Sequence, residues 1–197
     1  RANLESVLDP NQYEAWTCLE TDADPGPPRV RRDAQGTLLY SWRADARPIT
    51  PEIELKLLAA ATIRPEETRF SPLDVESGTR IRLHRGSVNW NPYRKKWIMI
   101  ATQLGGTSHL GEVWFSEAPH FTGPWLRARK IVTHDRYSFY NPVHHPFLDQ
   151  ADGGLIYFDG TYVNTFSGNP DTTPRYDYNQ IMYRLDLGDP RLHSPHP

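Results

Sequence analysis

The stretch Trp97-Ile98-Met99-Ile100-Ala101-Thr102 decides the fold class of this chain. It is apolar at almost every position and lacks the 3.6-residue spacing of an amphipathic helix. A short run of this kind predicts a strand that is covered on both faces, as when one sheet lies between two others.

Further short runs, rich in β-branched and aromatic residues, lie before and after this stretch. They occupy residues 37–42, 112–116, 129–132, 155–158 and 180–185. The 13 glycines and 18 prolines are spread along all 197 residues and separate the runs with turns. The sequence therefore predicts an all-β fold.

One segment carries the signals of a helix. Thr50 is a favoured N-cap, Pro51 suits the first helical position, and Glu52 is favoured near the positive end of the helix dipole. We expect a short helical insertion over residues 50–68, covering a sheet edge within a single domain of residues 1–197.

Composition excludes several classes of protein. Hydrophobic residues (38%) and aromatic residues (12%) are numerous enough for a packed core, so the chain is not disordered. With 22 basic and 24 acidic residues the net charge is −2, which argues against a nucleic-acid partner. No apolar run is long enough for a membrane-spanning helix. Cys18 is the lone cysteine, and because no cofactor motif is present either, we predict neither a cofactor nor metal ligands.

A pattern of strand, tight turn, buried strand, loop and strand occurs twice. The first copy spans residues 86–116 and the second spans 141–185. The period, measured from Ile98 to Leu155, is about 57 residues, which suits a four-stranded propeller blade with long loops.

The segment from Glu112 to Trp125, EVWFSEAPHFTGPW, resembles the outer half of a blade in the five-bladed β-propeller glycosidases, which include arabinanases, xylosidases and invertases. In it Gly123 permits a turn, Pro124 fixes it, and Trp125 wedges between blades. The resemblance covers residues 81–187 and extends to residues 13–43. It implies β-propeller blades, about two and a half to three of the five, so the chain is expected to be partial. It also implies a glycan or small carbohydrate as partner, and slightly favours a secreted or periplasmic location.

Members of that superfamily hydrolyse glycosides with two carboxylates at a central funnel, one as acid and one as base or nucleophile. The expected inner segments, 83–90 and 139–145, contain no acid. We therefore predict Asp74 and Glu112 as the catalytic residues. The alternative for Glu112 is a salt-bridged residue at the end of a strand, and Glu117 is expected in a solvated loop.

The inner segments instead carry polar residues that we predict to bind the substrate: His84, Arg85, Asn89, Asn141 and His144. Together with one acid, His84 and His144 would suit a metal ion or polarise a substrate hydroxyl. The alternative is that the histidines pin the inner strands together through hydrogen bonds.

The segment 157–180 interleaves aromatic rings with amide, hydroxyl and charged groups. Carbohydrates are recognised by such combinations, because rings stack on C–H faces while polar groups bind hydroxyls. We predict Tyr162, Arg175 and Asp177 as further substrate-binding residues. The alternative is a loop whose tyrosines pack on neighbouring strands, with Arg175 and Asp177 paired to each other. Asp149 is expected only to cap its own turn.

Two functional hypotheses follow. The first is a glycoside hydrolase-like propeller that acts on or binds a glycan. The second is a non-catalytic propeller that binds a carbohydrate or a partner protein, and the lack of acids on the inner segments favours it. Two carboxylates about 5–10 Å apart at one pocket would indicate an enzyme.

Overall fold

The computed structural model describes residues 3–21, 27–107 and 109–192. The fold is mostly β, with 38% of residues in strands and 16% in helices, which confirms the predicted class at this level. The chain divides into two compact units, Arg1–Thr68 and Arg69–Pro197. Within the described ranges, no helix has the length and hydropathy needed to cross a membrane.

Among its described residues, the first unit contains two α-helices, α1 (Leu4–Leu8) and α2 (Pro51–Ala59), and two 3₁₀ helices, Pro10–Gln12 and Pro65–Glu67. It also contains a two-stranded antiparallel sheet of β1 (Ala15–Thr17) and β2 (Ser41–Arg43). The Thr50 hydroxyl accepts a hydrogen bond from the Ile53 amide at 3.2 Å, and Pro51 begins the helix. The predicted helix is therefore confirmed, together with its cap.

The strand predicted over residues 37–42 is mostly wrong, because only Ser41 and Trp42 belong to β2. At the start of this run, the backbone amide and carbonyl of Thr37 form hydrogen bonds within a turn instead of with a neighbouring strand. The Asp33 amide donates to the Thr37 carbonyl at 3.0 Å, and the Thr37 amide donates to the Asp33 carboxylate at 2.8 Å. Regular pairing therefore begins only after this turn.

The second unit contains two sheets. The larger is an up-and-down antiparallel meander with a fifth strand, β3, parallel to its last strand; the strands are β3 (Leu73–Asp74), β4 (Leu83–Asn91), β5 (Lys96–Gln103), β6 (Glu112–Ala118) and β7 (Arg127–Thr133). The smaller is a three-stranded antiparallel meander of β8 (Ser138–His144), β9 (Leu155–Val163) and β10 (Tyr178–Asp186).

Strand β5 is buried on both faces, as its sequence predicts. Every residue from Ile98 to Thr102 is less than a tenth exposed. Ile98 and Ile100 pack in one core cluster with residues of the smaller sheet, among them Phe139 and Phe158. Met99 and Ala101 lie in a second cluster on the other face, with Trp114 and Trp125.

The core between the two sheets is centred on Phe139, which is fully buried. Its ring stacks on His134 at a centroid distance of 4.4 Å and meets Tyr183 edge-on at 5.6 Å. Gly160 of β9 lets the ring approach the backbone, because a Cβ there would lie 2.5 Å from Phe139 Cε1.

The strand registers bring several connections to one end of the second unit. The start of β4 lies beside the end of β5, the start of β6 beside the end of β7, and the start of β8 beside the end of β9. We call this the loop end; it comprises the first residues of β4 and the connections 104–111, 134–137 and 164–177. The opposite, turn end comprises the connections 92–95, 119–126 and 145–154.

Candidate functional site

Glu112 lies at the loop end, where β6 begins, and is only 1% exposed. Its Oε1 accepts hydrogen bonds from the hydroxyl and amide of Thr107 and from the Thr133 hydroxyl. Its Oε2 has no hydrogen-bond partner among the described residues and lies against Gly106, where a Cβ would be 1.9 Å away. Since none of the described residues forms an ion pair with it, the carboxylate anchors a loop instead of bridging to a cation at the rim.

Asp74 lies far from Glu112. It is paired with Ala128 on β7, whereas Glu112 is paired with Thr133. At 3.3 Å per residue these two positions are about 16 Å apart along the strand, beyond the 5–10 Å that a catalytic pair needs. The register therefore does not bring the two predicted catalytic residues together.

The side chain of Asp74 closes its own turn. It accepts hydrogen bonds from the Ser77 hydroxyl at 2.7 Å and from the Glu76 amide at 3.1 Å. Burial raises the pKa of Asp74, but these hydrogen bonds outweigh it and hold the pKa below its ordinary value. A carboxylate bound in this way is a turn cap.

His144 joins the two sheets of the second unit. Its backbone amide donates to Ser87 Oγ at 2.8 Å. Its ring Nδ1 lies 3.3 Å from the side-chain nitrogen Nδ2 of Asn89, and its ring Nε2 lies 2.9 Å from Asp149 Oδ1. An amide donor at Nδ1 places the ring proton on Nε2, which donates to the carboxylate. His144 and Asn89 therefore pin β8 to β4, as the alternative interpretation has it.

No metal site is formed by these residues. Both ring nitrogens of His144 have protein partners. In the part of the chain that the structure describes, no group of three or more His, Cys, Asp or Glu side chains is placed to hold a metal ion.

His84 and Arg85 lie at the loop end, where β4 bulges between Leu83 and Gly86. Both are exposed, and neither side chain forms a hydrogen bond or ion pair with another described residue. Asn141 lies in the corresponding bulge of β8 and is also exposed, with a left-handed φ of 53°. Bulges turn side chains away from the regular alternation, so these three residues face outwards.

The remaining predicted residues lie around the connection 164–177. Tyr162 is half-buried, its ring packs on Tyr137 at 5.2 Å and on His134 at 5.5 Å, and burial raises its pKa. Arg175 and Asp177 are exposed, and no ion pair joins them. The ring of Tyr162 therefore packs on neighbouring residues, as in the alternative interpretation, whereas the side chains of Arg175 and Asp177 are accessible to solvent.

An aromatic group that the sequence interpretation missed crosses the face of the smaller sheet. The hydroxyls of Tyr140 on β8 and Tyr178 on β10 share a hydrogen bond, and this bond raises the pKa of Tyr140. Phe166 meets the Tyr140 ring edge-on at 5.5 Å. Tyr178 is 65% exposed and Phe166 51%. We call Tyr140, Phe166 and Tyr178 the aromatic bridge.

Three consecutive carbonyls fasten the connection between β5 and β6 to β8 and to the connection that precedes β8. The His109 carbonyl accepts from Ser138 Oγ at 2.6 Å, the Leu110 carbonyl from the Phe139 amide at 2.9 Å, and the Gly111 carbonyl from the His134 amide at 3.1 Å. His134 Nδ1 also donates to the Gly111 carbonyl at 2.7 Å. Burial lowers the pKa of His134, so it serves as a neutral structural link.

No family model, curated protein or solved structure matches this chain. Function is therefore inferred from the chemistry of the loop end alone.

Proposed function

We propose that this chain forms part of a β-propeller and binds a glycan at the loop end of its second unit. The repeated meander supports the propeller. Strands β8, β9 and β10 follow one another and pair in the same order as β4, β5 and β6. Two consecutive sheets of one pattern, packed face to face, are what successive blades require.

The packing between the sheets also supports a radial arrangement. Strand β8 of the smaller sheet packs against β4 and β5 of the larger sheet, and its His144 amide donates to Ser87 Oγ on β4. Phe115 of β6 belongs to the core cluster between the sheets, and Tyr183 of β10 packs against it. Successive blades of a propeller pack against each other through apolar cores of this kind.

The observation that carries glycan binding is the aromatic bridge. Its exposed rings offer flat apolar surfaces for the C–H faces of a sugar. Its sequence neighbours Asn141 and Asp177 are exposed polar groups that can bind sugar hydroxyls. Apolar faces flanked by directional hydrogen-bonding groups suit saccharides better than they suit phosphate-rich or purely apolar ligands.

Binding without hydrolysis is the form of this function that the geometry favours. Glu112 is buried and bound to Thr107 and Thr133, and Asp74 caps a turn at the far side of the sheet. A hydrolase of this type needs two accessible carboxylates at one pocket. We therefore assign no catalytic role to either residue.

A glycan array followed by calorimetric titration tests this proposal. Tyr178→Ala and Phe166→Ala should each weaken binding of the best glycan by about 10-fold or more, because each removes a stacking surface. Phe147→Ala is the matched control, since Phe147 is 81% exposed but lies at the turn end. Equal affinity in the three variants, or no glycan bound by the unmodified protein, would refute the proposal.

A further inference from the structure

The hairpin of β4 and β5 and its flanking segments have a strongly uneven charge. Residues 77–111 contain six arginines and lysines and two histidines, but no aspartate or glutamate. The chain as a whole has slightly more acids than bases. This segment is therefore a local concentration of positive charge in an otherwise balanced protein.

At the turn end of the hairpin, an acidic side chain on a neighbouring strand pairs with two of the basic residues. Glu117 of β6 receives two hydrogen bonds from Arg94, one of them from Nη2 at 3.1 Å, and it lies 3.4 Å from Lys96 Nζ. The side chains of Arg94 and Glu117 are only 15% and 13% exposed. This ion pair is part of the folded framework.

At the loop end, none of the described acidic side chains forms an ion pair with the basic residues of β4 or with His109. His84, Arg85 and His109 are exposed, and their side chains form no hydrogen bond or ion pair with the rest of the described chain. The connection that carries His109 begins beside β4, where the Leu104 amide donates to the Arg82 carbonyl at 2.8 Å. Burial lowers the pKa of His84, and the positive charges of Arg85 and His109 lower it further. Glu112 is nearby in sequence, but it is buried and its carboxylate is bound by threonines.

The backbone that carries these three side chains is fixed by the fold. The bulge of β4 turns the adjacent side chains of His84 and Arg85 outwards. The carbonyl of His109 is fixed to Ser138 Oγ at 2.6 Å. A guanidinium on a strand end offers a rigid fork of donors, which matches the planar geometry of a carboxylate or the oxygens of a sulfate.

We propose that His84, Arg85 and His109 bind the acidic group of an anionic saccharide, a carboxylate or a sulfate ester. This inference rests on the proposed glycan-binding function and deepens it by specifying the charge of the ligand. Arg85 pairs with the anion, and the two imidazoles supply further donors.

Titration with matched saccharides tests the inference. The probes are an oligogalacturonate and its methyl ester, which differ in charge but not in the sugar ring, and dextran sulfate with dextran as the sulfate pair. The acidic member of at least one pair should bind about 10-fold or more tightly than its neutral partner, with an affinity that falls as sodium chloride is raised. Which pair shows the difference distinguishes carboxylate from sulfate.

Charge-neutralising variants locate the site. Arg85→Gln and His84→Gln should weaken the acidic saccharide by about 10-fold or more and leave any binding of the neutral one unchanged. Arg184→Gln is the control, because Arg184 is also exposed but lies on β10 towards the turn end. Unchanged thermal unfolding of the variants would exclude a loss of fold.

Three outcomes overturn the inference, and they differ in what they say of the proposed function. Equal affinity for acidic and neutral saccharides, unaffected by Arg85→Gln but lost in Tyr178→Ala, overturns the charge preference alone. Absence of binding to any saccharide overturns both proposals. An equal loss in Arg85→Gln and Arg184→Gln would show non-specific attraction and also contradict a site at β4.

Discussion

Replacing Gly106 by alanine tests whether the buried carboxylate of Glu112 anchors the β5–β6 connection. Gly105 and Gly106 are adjacent and have similar left-handed backbones, with φ of 88° and 97°. A Cβ at position 105 meets no atom within 4 Å, whereas a Cβ at position 106 lies 1.9 Å from Glu112 Oε2. Alanine at either position therefore has the same unfavourable backbone conformation, but only alanine at position 106 clashes with the Glu112 carboxylate.

The magnitude follows from the contacts of the carboxylate. Alanine in the left-handed region costs about 1–2 kcal/mol at either position. At position 106 Glu112 must also move, and its hydrogen bonds from Thr107 and Thr133 are then lost or strained. Hydrogen bonds to a charged group are worth about 1.5–3 kcal/mol, so Gly106→Ala should destabilise the protein by about 2 kcal/mol more than Gly105→Ala.

Urea unfolding, followed by tryptophan fluorescence, measures both variants. Adding Glu112→Ala to each removes the carboxylate, and the difference between the two glycine positions should then nearly vanish. If Gly105→Ala and Gly106→Ala are equally destabilising, or if their difference persists without Glu112, the carboxylate does not anchor this connection.

Three further predictions concern packing and pH. Gly160→Ala places a Cβ 2.5 Å from Phe139 Cε1 and should destabilise by about 1–3 kcal/mol in denaturant titrations, whereas in a Phe139→Leu background the same change should cost much less. Asn89→Ala leaves His144 without its Nδ1 partner and should cost about 1–2 kcal/mol by the same assay, with an unchanged denaturant slope. Hydrogen bonds from Arg32 lower the pKa of Glu67 from 4.5 to about 2. The ionised Glu67 therefore stabilises the folded state fully above pH 4.5, and this stabilisation is lost as the pH falls towards 2. The thermal unfolding temperature of Glu67→Gln should depend less on pH in this window.

The buried strands of the second unit could be predicted from the sequence because their signal is local. The apolar residues from Ile98 to Thr102 indicate burial on both faces by themselves, and the structure agrees. The repeat likewise followed from the order of turns and apolar runs. In contrast, β4 and β8 carry many polar residues and no continuous apolar run, so the sequence predicts them only from their place in the repeat.

The arrangement of the site depended on contacts between distant residues, which no local pattern gives. The parallel pairing of β3 with β7 separates Asp74 from Glu112. Glu117, which the sequence predicts in a solvated loop, lies in β6 and forms an ion pair with Arg94 of the connection between β4 and β5. Asp149 binds the ring of His144 in addition to its place in a turn. Each outcome is set by strand register.

The three bound carbonyls of the β5–β6 connection have a consequence for recognition. A segment whose backbone is already held by Ser138, Phe139 and His134 has little conformational freedom left to lose. A ligand that meets the backbone at His109 therefore encounters a preorganised surface, and this part of the surface adds little to the entropic penalty of association.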